Sequence, residues 1–146
     1  YCEKGIESTI ISMVGTPTIV RLGSVTAEEI MNVIGEVQTT IAHTQTNSPG
    51  TSTRHYAPIT KVLLLEEEHI RELRDSNCIA ITIHANPAAS MHTFQMPNCA
   101  EEYAQKLYSV LREADAIGAN LICIEKPGNT QGWQAVNDRL LRCSSD

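Results

Sequence analysis

Apolar residues recur along this chain with two periods, and the switches between them outline its elements. Residues 6–22 read as a β-hairpin. Thr9, Ile10 and Ile11 and then Thr18, Ile19 and Val20 are β-branched, with Gly15-Thr16-Pro17 as the turn. Thr26 is a good N-cap for a helix from Ala27 to Ile34, with acids in its first turn and Gly35 as its stop. Residues 36–43 read as another strand. Beyond residue 60 the texture changes. Lys61-Val62-Leu63-Leu64-Leu65 is a continuous apolar run, expected in a parallel sheet covered on both faces. Residues 66–75 are charged and helix-prone, and 78–83 form a second apolar strand. Tyr103, Leu107, Val110, Leu111, Ala114 and Ile117 follow helical spacing through 101–118. Gly118 closes that helix, Leu121 to Ile124 form a third strand, and 133–142 a last helix with Val136 and Leu140 on one face. Strand and helix alternate, which predicts an α/β layer with parallel strands.

Between the two patterned halves lies a run with neither period, Ser48, Pro49, Gly50, Thr51, Ser52, Thr53, Arg54, His55, Tyr56, Ala57 and Pro58. The prolines fix φ and remove backbone donors. Arg54 is suited to a phosphate or carboxylate, His55 to proton transfer or clamping, and Tyr56 to stacking or hydroxyl donation. A plain linker, with Tyr56 packed on a domain surface and the other two solvated, is the competing explanation.

Composition narrows the class. A length of 146 residues suits one domain, or one domain and a piece of another. The net charge of −6 argues against direct nucleic-acid binding by this chain. No apolar stretch approaches the roughly 18–20 residues of a membrane span. Five cysteines without a C-x-x-C pair suit a reduced, cytoplasmic protein, and no signal peptide opens the chain. The first residue is Tyr1 rather than Met, and the expectation is a cut through a longer protein.

Other candidate sites are less specific. Gly5-Ile6-Glu7-Ser8-Thr9 sets adjacent hydroxyls at a strand mouth but lacks the Gly-Lys-Ser/Thr end of a P-loop. Arg21 ends the hairpin and gains meaning only if it faces the same cavity as the 48–58 run. His84, His92, Cys78 and Cys99 lack zinc-ligand spacing, so no metal site is expected. Glu66, Glu67 and Glu68 read as a solvated helix start, Asp115 as a surface or capping carboxylate, and 128–132 as a polar loop that is most simply a turn.

Five segments in order resemble the C-terminal portion of the long, two-domain threonylcarbamoyl-AMP synthases, relatives of YrdC. They are Gly5-Ile6-Glu7-Ser8-Thr9-Ile10, Val20 to Thr26 (with Leu22 where proline is usual), residues 48–58, Leu107 to Gly118, and Ala135 to Leu140. The resemblance implies three parts. Residues 1–43 would be the remnant of a YrdC-like α/β catalytic domain, here a β-hairpin and helix. Residues 44–60 would be an interdomain linker or lid, and 61–146 a Rossmann-like C-terminal domain. It also implies an ATP-dependent nucleotidyltransferase that joins L-threonine, bicarbonate and ATP into threonylcarbamoyl-AMP and pyrophosphate, for threonylcarbamoyladenosine in tRNA. ATP would be a substrate accompanied by magnesium, with no tightly bound metal in this chain. Ser8 would contact threonine, and Arg21, His55 and Tyr56 would contact ATP. Ser48, Pro49, Gly50 and Arg54 would belong to the closing linker. Thr51, Ser52 and Thr53 depart from the family's usual Met, variable residue and Tyr. With the N-terminal catalytic domain missing, the chain alone is expected to be inactive. The alternative is a non-catalytic interaction or regulatory domain that controls the linker.

Overall fold

The structure is a computed structural model that describes residues 5–6, 8–39, 57–75, 77–130 and 132–144. The 48–56 portion of the non-periodic run, with Ser48, Pro49, Gly50, Arg54, His55 and Tyr56, lies outside the described residues.

The first half builds a small mixed sheet. Strands β1 (Ile10–Ser12) and β2 (Thr18–Arg21) form the expected antiparallel hairpin. Its register shifts between Ile10, which faces Arg21, and Ile11, which faces Ile19. This bulge breaks the strict alternation of faces, and Ile19, Val20 and Arg21 are all buried in succession. Helix α1 (Ala27–Ile34) starts on a capping box. Thr26 Oγ1 accepts from the Glu29 amide at 3.2 Å, and Glu29 Oε2 accepts from the Thr26 amide at 2.7 Å. Strand β3 (Gln38–Thr39) pairs parallel with β2, and residues 40–43 of the expected strand lie outside the described residues.

The second half builds a four-stranded, all-parallel sheet in the order β4-β7-β5-β6. Its elements are β4 (Lys61–Leu65), α2 (Glu67–Glu72), β5 (Cys78–Thr82), β6 (His92–Gln95), α3 (Ala100–Ile117), β7 (Leu121–Glu125) and α4 (Gln134–Cys143). Tyr103, Leu107 and Leu111 of α3 and Val136 and Leu140 of α4 pack on Val62, Ile79, Ile81, Ile122 and Ile124. On the opposite face Ile70 of α2 packs with Cys123 and Ala85. Gly118 ends α3 in the left-handed conformation (φ 77°, ψ 28°), which glycine adopts without the Cβ clash of other residues.

Three expectations need correction. The apolar run at 61–65 is an edge strand, with only Val62 fully buried, because β7 occupies the central position beside it. Ile117 lies on the helical stripe but is 47% exposed, as the last residue of α3. Strand β6 falls where no element was expected. Its exposed His92, Thr93 and Gln95 at the other edge do not produce an apolar pattern.

The two sheets meet along α3 and α4. Ile6 joins the main core, and a Cβ on Gly5 would run into the α3 backbone at Gln105. Where the chain enters β4, the Asp115 carboxylate accepts from the amides of Ile59 (3.1 Å) and Thr60 (2.8 Å). Asp115 is therefore a capping carboxylate, as its sequence context suggests. The Thr60 hydrogen bonds, aided by Ile59 and opposed by slight desolvation, hold its pKa below the ordinary aspartate value. No helix among the described residues is long and apolar enough to cross a membrane.

Two predictions concern this frame. The Tyr103 hydroxyl is fully buried without a hydrogen-bond partner among the described residues, and burial plus the Glu125 charge push its pKa upward. Tyr103→Phe should therefore raise the unfolding free energy by about 1 kcal/mol in urea titrations, since it removes an unmet hydroxyl and keeps the ring. Asp115→Ala should cost about 1–2 kcal/mol at pH 7 by loss of two backbone hydrogen bonds. Because the folded pKa is lowered, that contribution is present above the unfolded value, about 4, and lost as pH falls through the folded one. The wild-type and Asp115→Ala denaturation midpoints should converge in acid.

Candidate functional site

Ser8 and Arg21 are separated in sequence by the hairpin and brought together by it. Ile10 pairs with Arg21, which sets the end of β2 beside the residues that lead into β1. Arg21 is only 8% exposed. Its Nε and Nη2 donate to the Ser8 carbonyl at 3.1 and 2.9 Å, and Nη2 lies 3.4 Å from Ser8 Oγ. The fork of the guanidinium thus grips one oxygen with two donors and keeps the serine hydroxyl within reach. One residue on, Thr9 Oγ1 donates to the Val25 carbonyl at 2.6 Å and ties the start of β1 to the segment that follows Arg21.

Gly23, Ser24 and Thr26 of that segment line a cavity of about 540 Å³. Ile6, Gly23, Ser24 and Thr26 form one wall, and the N-terminal ends of α3 and α4, with Cys99, Gln105 and Trp133, form the other. Its size is within the range of small-molecule sites. Ser8 and Arg21 are not among the residues that line it. The wall is fastened to α4, where Arg139 Nη2 donates to the Leu22 carbonyl at 2.9 Å. Arg139 is 4% exposed and paired with Asp138 at 2.6 Å, and Asp138 also holds Arg142 at 2.9 Å.

The remaining sequence candidates separate. His92 packs against Phe94 with the rings tilted at 56° and their centroids 5.1 Å apart. Cys99 is exposed, and Cys78 and Cys123 are buried in adjacent strands. Burial and the neighbouring Cys78 push the Cys123 thiol up to about 12, so it is an inert packing group at neutral pH. In the 128–132 loop, Asn137 Nδ2 donates to the Gly128 carbonyl at 3.1 Å, a structural tie from α4.

Sequence reasoning missed Glu125, the last residue of β7, which is 2% exposed. Its carboxylate accepts from the amides of Ile83 (2.8 Å), His84 (3.0 Å) and Ala85 (2.9 Å), and its Oε1 lies 3.2 Å from His84 Nδ1. Burial alone would raise its pKa, but these hydrogen bonds outweigh it and hold the group ionised below the usual glutamate value. The available signal was a single charge that directly ends an apolar run, two positions after Cys123 and so on the same face of the strand.

A family profile described as "Threonylcarbamoyl-AMP synthase, C-terminal domain" matches residues 25–145. The chain is 29% identical over 156 aligned positions to the threonylcarbamoyl-AMP synthase of Pyrococcus abyssi, an alignment that covers 96% of this chain and 46% of that protein. The crystal structure of P. abyssi Sua5 complexed with L-threonine superposes with a TM-score of 0.82 at 28% identity, covering 97% of this chain and 46% of that one. A variant of that protein with an adjacent His-Tyr pair changed to alanines superposes equally well, at 0.82 and 27% identity over the same shares. The chain spans about half the length of these relatives. On the match across residues 25–145, it belongs to the family of threonylcarbamoyl-AMP synthase C-terminal domains.

Proposed function

We propose that this chain is the C-terminal part of an L-threonylcarbamoyladenylate synthase, with the end of the catalytic domain at 1–43, the linker at 44–60 and the α/β domain at 61–146. In this reading the whole enzyme consumes L-threonine, bicarbonate and ATP with magnesium, releases pyrophosphate, and acts in the cytoplasm toward threonylcarbamoyladenosine in tRNA. The observation that carries it is the alignment with a threonylcarbamoyl-AMP synthase over 96% of the chain.

The chemistry asks for two anions side by side. A threonine carbamate attacks the α-phosphate of ATP, so charge on the phosphates and on the leaving pyrophosphate must be neutralised in fixed geometry. The Ser8–Arg21 pair supports this. It sets a hydroxyl, assigned to threonine, 3.4 Å from a buried guanidinium, assigned to phosphate. Arg54, His55 and Tyr56 are assigned to closure over the nucleotide and exclusion of water. His55-Tyr56 is the one His-Tyr pair in this sequence, and a solved relative was altered at such a pair.

The test is pyrophosphate release from threonine, bicarbonate and ATP. The 146-residue chain should give none above background. In the protein with its N-terminal half present, Arg21→Ala should lower kcat/KM by about 100-fold, the scale of one lost electrostatic contact to a transition state. Tyr56→Ala should act in the same direction. Full turnover by the short chain would overturn the division of labour. Normal turnover by both variants would instead favour a regulatory domain that only controls the linker.

A further inference from the structure

At the opposite end of the parallel sheet from the Lys61 and Cys78 strand starts, three side chains converge from three elements. Glu67 is the first residue of α2, His84 follows β5 by two positions, and Glu125 ends β7. One ligand atom from each lies within 4.8 Å of the other two. All three sit at the carboxyl edge of the sheet. There the connection from β5 leads outward to β6, whereas the connection from β7 leads back to α4 on the β4 side. A gap between neighbouring strands whose connections diverge is where open α/β sheets hold ligands.

We propose that Glu67, His84 and Glu125 bind a divalent first-row transition ion such as Zn²⁺. The donor set carries the chemistry. An imidazole nitrogen with two carboxylate oxygens suits zinc and its neighbours, whereas magnesium and calcium sites are built from oxygen. Two ligands of a tetrahedral zinc with bonds of about 2.0–2.1 Å stand about 3.3 Å apart. The Glu125 Oε1 to His84 Nδ1 separation is 3.2 Å. Oε2 of Glu125 takes the amides of Ile83 and Ala85, the His84 amide reaches both oxygens at 3.1 and 3.0 Å, and Oε1 faces the imidazole. The carboxylate is thus oriented by backbone donors, as ligating carboxylates in metal sites are. Glu67 and His84 side chains are 39% and 53% exposed, which gives an ion an entry path from solvent. Arg71 now pairs with Glu67 on the helix surface, and Lys126 pairs with Glu66 at 2.8 Å. Exchange of the Arg71 contact for an ion is an exchange between solvated partners. Three protein ligands leave one position for water or a ligand, so the site is exchangeable rather than a closed structural one.

The test is titration of the chelator-treated chain with Zn²⁺ and Co²⁺ by calorimetry and visible absorption. The expected result is one ion per chain with micromolar affinity and no thiolate charge-transfer band in the cobalt spectrum. His84→Ala, at an exposed position, and Glu67→Gln, at a half-buried one, should each weaken binding at least tenfold. His92→Ala and Cys99→Ser should leave it unchanged. Absence of one-to-one binding below 100-fold excess metal, unchanged affinity in His84→Ala, or a thiolate band would each overturn the assignment and leave His84–Glu125 as a hydrogen bond alone.

Discussion

Everything in the larger half depends on the insertion of β7 between β4 and β5. Among the described residues strand β4 has no other neighbour, and its partners on β7 come sixty residues later in the chain. Until β7 arrives, β4 presents an unpaired ladder, and β5 is paired on one side only. Ile122, Cys123 and Ile124 are then wholly buried, because a parallel sheet is covered on both faces. Glu125 completes the insertion. A carboxylate carried into the interior is costly unless its lone pairs are met. The amides of residues 83–85, freed where β5 ends, meet them. The same contact that makes burial tolerable fixes the β5–β6 connection to the end of β7.

The smaller half is attached through polar contacts as well as packing. Asp138 neutralises Arg139 and Arg142, and Arg139 uses its other nitrogen for the Leu22 carbonyl. Breaking a buried charge pair by removing one partner is costlier than replacing both, because it leaves a charge in a low-dielectric setting. Leu22 directly follows Arg21, so the position of the buried guanidinium beside Ser8 is set partly from α4. This is a physical route by which the α/β domain bears on the residues assigned to substrate.

Local signals were legible and long-range ones were not. Thr26, Glu29 and Gly35 fix both ends of α1 within ten residues, and the structure places them so. The helix of 100–117 and the strands at 61, 78 and 121 are likewise written in the period of nearby residues. The position of β4 at an edge is not, because it depends on where a strand sixty residues away inserts. Strand β6 was invisible because a half-solvated edge needs no apolar alternation. Of the candidate site, the turn at 15–17 brings Arg21 back beside the start of β1, but regular pairing would set it opposite Thr9, and only the bulge, which the sequence does not announce, places it opposite Ile10. Glu125 could be noticed but not interpreted, since its partners lie forty residues upstream in a segment without pattern.

The layout of fastenings gives the α/β domain a mechanical relation to the segment it follows. The chain leaves α4 at Leu22, held by Arg139, and returns at Ile59 and Thr60, held by Asp115 of α3. Helices α3 and α4 cover the same face of the parallel sheet and share its main core. Residues 22–60 therefore begin and end on one packed layer, which fixes the distance their two ends must span. Arg21 directly precedes the first of these anchors, and Ala57 and Pro58 directly precede the second.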